Sequence, residues 1–390
     1  MTAVANLAGD RHIVVCCGSG GVGKTTTAAA LAVEGARRGR KAVVVTVDPA
    51  KRLANALGLD SLTHTASEIA QELWDPEGDG SGGGSLSALM LDAKSTFDDL
   101  VLKYAADTAQ GERILENRFY RNISSALSGT QEYMATEKLH ELHEEGAWDL
   151  IVVDTPPTRH ALDFIEAPAR LTRLLDNRLF RLVMAPTRAS FKVANLALVT
   201  FFRTVAKVIG SEVVEDLVAF FQAFEGMEDG FRRRARKVAE LLADPRTAFL
   251  LITSPGRDSI SEAGYFARRL REVGLGVDGL VVNRIHPRFG DEMPEDLRAR
   301  AVALAGTAEA GGGSEAQAGL VQLYENLADF SELVARESRQ LDGLEQQVGD
   351  VPIVRVPLLP TEVSDFSGLL AVGRHLVAEP PETGPDPASG

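Results

Sequence analysis

Nine residues constrain this chain more than any other part of it. Gly18-Ser-Gly-Gly-Val-Gly-Lys-Thr-Thr26 follows His12-Ile-Val-Val-Cys-Cys17, an apolar run of the length of one buried strand. It leads into Lys24 to Arg38, where Ala and Leu recur at helical spacing, and Ala42-Val-Val-Val-Thr-Val47 then reads as a second buried strand. Strand, helix and strand in that order form a βαβ unit and call for a parallel sheet. The turn itself satisfies G-x-x-x-x-G-K-S/T. Its glycines let successive backbone N–H groups turn inward around phosphate oxygens, and the helix behind it adds the positive end of its dipole. The candidate phosphate cradle is therefore Gly18, Ser19, Gly20, Gly21, Val22 and Gly23. Lys24 would reach the β- and γ-phosphates, Thr25 would offer its hydroxyl to Mg²⁺, and Thr26 would touch the α-phosphate.

Further strands are expected at Ala88 to Leu91, Leu150 to Val153, Ala248 to Ile252, Gly279 to Val282 and Ile353 to Val356. Strands alternating with helices predict an α/β fold, a doubly wound and mostly parallel P-loop NTPase sheet. Between 164 and 244 the strand signal vanishes and helical periodicity takes over. That block is expected to be an inserted helical subdomain, within an ATPase domain made of residues 1–163 and 245–378. Asp75 to Ser85 and Gly306 to Gly319 read as Gly-rich surface loops, and 379–390 as a disordered tail.

Composition narrows the partners. The net charge of −14 argues against nucleic acid, whose phosphates are held by clustered Lys and Arg. The two cysteines, Cys16 and Cys17, are adjacent in the first strand; they form no disulfide framework and read as small core hydrophobes. No apolar stretch reaches the ~20 residues of a membrane span. The N-terminus has no secretory pattern, so a cytoplasmic location is expected. His140 and His143 lie three apart in a charged helix and read as an exposed face rather than a metal site.

Four segments carry a family resemblance. The loop, in its Gly-x-Gly-Gly-Val-Gly-Lys-Thr-Thr form, resembles the deviant Walker A ATPases, which include the arsenical pump-driving ATPases, the ATPase that targets tail-anchored membrane proteins, and the ParA/MinD group. Val47-Asp-Pro-Ala-Lys-Arg-Leu-Ala-Asn-Ala-Leu57 and Val153-Asp-Thr-Pro-Pro-Thr-Arg-His-Ala-Leu162 resemble the two switches of the arsenical-pump and tail-anchor-targeting branch. Val282-Asn-Arg284 and Val351-Pro-Ile-Val-Arg-Val-Pro-Leu-Leu-Pro360 resemble its adenine-side segments. The match is closest to actinobacterial-type members. It implies an ATP-binding hydrolase that uses Mg²⁺ and works as a dimer. By the same resemblance Asp48 positions the attacking water with Lys24 as its catalytic partner, and Asp154 stands on the Mg²⁺ side through a water. Asn283, Pro357 and Leu358 then meet the adenine. As a plain structural feature, Asp48 could instead cap the helix that follows Pro49.

The chain departs from that family at Ser19, where most relatives carry a Lys that reaches the partner subunit's phosphates. Two expectations follow: a Lys-bearing paralogue completes a heterodimer, or Lys51 and Arg52 compensate in cis. Neither the arsenite-binding cysteines nor the Cys-x-x-Cys zinc pair of relatives has a counterpart. In the helical block, Phe191, Ala194, Leu198, Phe202, Val205 and Ile209 form one apolar stripe, and 166–207 holds eight basic residues against two acidic ones. That combination reads either as ordinary packing with a solvated Arg face or as an apolar groove with a basic rim, fit for a hydrophobic helical client or an anionic membrane surface. The functional reading is a nucleotide-driven conformational switch. Its alternatives are a nucleotide-sensing regulatory subunit and a ParA/MinD-like positioning ATPase.

Overall fold

The computed structural model describes residues 3–47, 52–78, 82–121, 130–156, 158–176, 211–311 and 314–378. Eight strands form one sheet: β1 (Ile13–Gly18), β2 (Lys41–Thr46), β3 (Ser67–Ile69), β4 (Ser85–Met90), β5 (Leu150–Asp154), β6 (Thr247–Thr253), β7 (Gly279–Ile285) and β8 (Ile353–Pro357). Their order across the sheet is β3-β4-β2-β5-β1-β6-β7-β8. Every pairing is parallel except the edge pair β3 and β4. All seven expected strands are present. The eighth, β3, is only three residues long and antiparallel, too short to carry a periodic signal.

β1 lies at the centre and is buried along its whole length. Successive side chains of a strand face opposite sides, so its residues divide between two cores. Val14 and Cys16 pack with the helices Lys24–Arg37 and Phe366–Val377. Ile13, Val15 and Cys17 pack with the helices Thr130–Glu145, Thr158–Asp176, Glu228–Leu242, Arg257–Glu272 and the C-terminal half of Glu315–Val348. Burying a Val or Ile side chain fully is worth about 1.5–3 kcal/mol, so a strand that is apolar on both faces anchors both helical layers at once. Cys16 and Cys17 are the small core residues expected of them. Burial pushes the Cys17 thiol up to about 12 and raises Cys16 as well, with Asp154 adding to the latter.

Every regular element described between 164 and 244 is a helix. The stripe from Phe191 to Ile209 lies outside the described residues, as does the tail 379–390. What is described shares an aromatic core with helices from earlier in the chain, Ala93–Tyr104 and Thr108–Glu116. Phe224 stands at its centre, with ring centroids 5.1 Å from Phe231 and 5.7 Å from Phe220. The helical layer thus draws on chain well before residue 164.

Two local expectations are corrected. The described parts of Gly306 to Gly319 are mostly helical: helix Pro294–Gly311 runs through the first of them, and helix Glu315–Val348 begins after Ser314, whose hydroxyl caps it by accepting from the Gln317 N–H at 3.3 Å. Ala305, Ala308 and Ala310 are strong helix formers and offset Gly306. His140 is not on an exposed face; it is 3% exposed beneath the sheet. Burial and the nearby Arg234 guanidinium lower its pKa to about 4. The amphipathic pattern of its helix is weak, because that helix is covered both by the sheet and by the helical layer.

Candidate nucleotide-binding site

The site gathers at the C-terminal ends of the central strands, where a doubly wound sheet opens its crevice. β1 delivers Gly18 with φ 159°, and a Cβ there would stand 2.1 Å from the Ile252 carbonyl oxygen of β6. The loop closes with Gly23 at φ 94°, immediately before the helix, and a Cβ there would stand 2.2 Å from the Asn283 amide nitrogen. Glycine is required at both positions by close approach, and at Gly23 by the left-handed backbone as well.

Lys24 and Thr25 both bond within the site. Lys24 is buried, and its ammonium donates to the Ser19 carbonyl at 2.8 Å, across the mouth of the loop. The Thr25 hydroxyl donates to Asp154 Oδ2 at 2.8 Å, joining the start of the helix to the end of β5. Thr46, on the neighbouring β2, donates to the same oxygen at 3.0 Å. One carboxylate and one hydroxyl in contact make a hard oxygen pair of the kind Mg²⁺ takes when phosphates and waters complete its shell. Among the described residues no group of three or more His, Cys, Asp or Glu could hold a metal by itself.

Thr26 faces a separate cavity of about 630 Å³, lined also by Gly23, Arg52, Asn283, Arg284 and the run Pro357 to Val363. Asn283, Pro357 and Leu358, which are far apart in sequence, therefore share one wall beside the loop. Asn283 is buried and spends one amide hydrogen on the Val22 carbonyl at 2.8 Å. Its oxygen and second hydrogen stay available for a ligand. Ser19 is 6% exposed, and its hydroxyl has no hydrogen-bond partner among the described residues. Asp48 and Lys51 lie outside the described residues. Val47, the residue before Asp48, donates its N–H to the Asp154 carbonyl at 3.2 Å.

Sequence reasoning missed two residues. Thr46 had a visible signal, a single hydroxyl in the otherwise apolar run Ala42 to Val47. Arg284 lay inside the segment Val282 to Arg284 but was given no role of its own: its left-handed φ of 63° and its contact with the loop depend on how β7 meets β8. Such a backbone conformation costs a non-glycine residue on the order of 1 kcal/mol and is held by its surroundings.

A family model described as an anion-transporting ATPase matches residues 11–302. The chain belongs to the anion-transporting ATPase family. The matched region carries the loop, Asp154 and Asn283, and ends before the Pro357 to Val363 wall. A protein of Aquifex aeolicus (strain VF5) named as arsenical pump-driving ATPase 2 is 25% identical over 287 residues, covering 73% of this chain and 82% of its own length. ATPase GET3 of Malassezia globosa is 24% identical over 275 residues, covering 70% and 72%. ATPase ASNA1 homolog 1 of Paramecium tetraurelia is 26% identical over 290 residues, covering 73% and 77%. This anion-transporting ATPase family member is an ATP hydrolase. No described helix is long and apolar enough to cross a membrane.

Proposed function

We propose that the protein is a dimeric, ATP-driven conformational switch that handles a hydrophobic helical client. The observation that carries this reading is the Thr25–Asp154 contact. It links the phosphate loop to the end of β5, and four residues further on the helix Thr158–Asp176 begins its path into the aromatic core of the helical layer. A shift at Asp154 would therefore have a short path along the chain to that layer.

In this reading Gly18 to Gly23 surround the phosphates with N–H groups, Lys24 leaves the Ser19 carbonyl for the β- and γ-phosphates, and Thr26 meets the α-phosphate. Thr25 and Asp154 would hold Mg²⁺, which when bound neutralises charge on the phosphate oxygens. Asp48 orients the attacking water and accepts its proton late. Asn283, Pro357 and Leu358 hold the adenine, with Asn283 using the donor and acceptor left after its bond to Val22. Residues 164–244, basic between 166 and 207, supply the surface for the client. The setting is the cytoplasm, and a Lys-bearing paralogue is the partner that would supply the charge Ser19 lacks.

Ser19 favours a second reading, a nucleotide-sensing subunit that hydrolyses slowly and regulates such a paralogue. Steady-state hydrolysis of Mg·ATP by the purified chain, with its mass in solution measured with and without ATP, separates the two. A dimer that forms with ATP and turns over alone supports the switch. A monomer inert until the paralogue is added sinks self-sufficient turnover and supports the regulatory subunit. An ATP-loaded protein that binds neither an apolar helical peptide nor anionic vesicles removes the client.

A further inference from the structure

The end of β7 holds the phosphate loop with two consecutive side chains. Asn283 donates to the Val22 carbonyl at 2.8 Å and Arg284 to the Gly21 carbonyl at 3.0 Å. In a regular strand neighbouring side chains point to opposite faces, so two in succession cannot reach one loop. Here they do, because the β7–β8 ladder slips between Asn283 and Ile285 and Arg284 takes φ 63°. Arg284 is the one non-glycine residue with positive φ among those described. The ladder then resumes, with the Leu358 N–H donating to the Ile285 carbonyl at 2.8 Å.

The two bonds act on adjacent peptide planes. In a planar trans peptide the C=O and the N–H point in opposite directions. Fixing the Gly21 carbonyl toward Arg284 therefore fixes the Val22 N–H away from it. Fixing the Val22 carbonyl toward Asn283 does the same for the Gly23 N–H. Glycine-rich loops reorient peptide planes easily, and a cradle whose N–H groups are already aimed loses less on binding an anion than one that must be ordered first. Gly23 has no Cβ, which is what lets Asn283 come this close.

The geometry points to Arg284 as a positioning residue for ATP hydrolysis, one that acts with Asn283 to set the Val22 and Gly23 N–H groups of the phosphate loop from the strand that also walls the base cavity. This rests on the phosphates occupying the loop. Its consequence is that the two halves of the nucleotide site are tied together: Asn283 and Arg284 line the cavity of about 630 Å³ and hold the loop from the same two positions.

The test compares the unmodified protein with Arg284→Gly and Arg284→Asn. Both replacements tolerate the left-handed backbone, so the fold is kept and only the guanidinium is lost. Binding of ATP, ADP and AMP is measured by calorimetry, and kcat and KM from steady-state hydrolysis. A hydrogen bond from a charged group is worth enough to change affinity about tenfold. The expected result is that ATP and ADP bind about tenfold more weakly to both variants. KM should rise and kcat fall, and AMP, which has no β-phosphate for these N–H groups, should bind within twofold of the unmodified protein. Arg284→Lys should recover part of the loss. ATP and ADP affinities within twofold of the unmodified protein in both variants would overturn the role of Arg284, and so would an equal loss for AMP, which would place the guanidinium on the base or ribose. If the unmodified protein binds neither ATP nor ADP, the nucleotide site fails and the loop clamp fails with it.

Discussion

The nucleotide site and the helical layer are each built around a buried carboxylate, and they treat it differently. Asp154 and Glu137 are both 1% exposed. Asp154 receives the hydroxyls of Thr25 and Thr46 on a single oxygen. Glu137 receives the Arg234 guanidinium at 2.6 Å and the Tyr133 hydroxyl, and Arg234 goes on to Glu144 at 2.9 Å. A hydroxyl that donates to a carboxylate keeps lone pairs for a cation, whereas a guanidinium has no acceptor at all. In the proposed function the Asp154 group would take up Mg²⁺ with these hydroxyls still in place. The Glu137 group already holds its own cation in Arg234, and it fastens helix Thr130–Glu145 to helix Glu228–Leu242. Two similar carboxylates thus serve one open site and one lock.

The comparison breaks most sharply if the loop proves to be structural. Lys24→Ala should lower kcat by ~10³-fold or more, on the scale of other cations at transferring phosphates, with little change in melting temperature. A large fall in stability at unchanged activity would make the loop a packing feature. The next largest effect is expected in the lock. Arg234→Met leaves Glu137 buried without its guanidinium and should cost about 3 kcal/mol in denaturant unfolding. Replacing both residues, Glu137→Leu with Arg234→Met, should recover much of that loss. If the single change costs under 1 kcal/mol, the pair is no lock.

A third test reads the lock through pH. The pKa of His140 is lowered to about 4 in the fold against an ordinary 6.5, so between those values the unfolded chain binds the extra proton. Stability should therefore fall as pH drops from 6.5 toward 4, by on the order of 2 kcal/mol. His140→Leu should lose that part of the slope, and an unchanged pH profile in the variant would assign the slope to other groups. The smallest effect belongs to Thr46. Thr46→Val keeps the shape of the buried strand and removes one of the two hydroxyls on Asp154. We expect a roughly fivefold higher half-saturating Mg²⁺ concentration, from the loss of about 1 kcal/mol. No change would show that the metal requirement does not depend on Thr46.

Much of the site was legible in sequence because its key residues lie at the ends of strands. Gly18 to Thr26 follows β1 directly, and Asp154 ends β5, so the strand pattern places both at one edge of the sheet. The parallel register, Cys16 opposite Asp154 and Asp154 opposite Thr46, completes the arrangement. The helical layer was legible only as helix. Its core joins Leu100, Ile114, Tyr133, Leu175, Phe224 and Phe231 from six separate helices, and no periodicity within one segment reveals which others it will meet. The same limit explains His140: spacing along a helix says which residues share a face, but not whether a second layer will cover it.

The sequence by itself determined the loop, its strand-and-helix setting and the parallel sheet, because each follows from a run of fewer than about twenty neighbouring residues and the short-range geometry of strands and helices. Tertiary structure alone decided that Asn283 and Arg284 would hold the carbonyls of Val22 and Gly21, 261 and 263 residues away along the chain. That contact exists because β7 lies two strands from β1 and slips against β8 at the level of the loop. Local preference chooses the elements, but the carbonyl that a side chain finds at the end of a strand is set by the packing of the whole sheet.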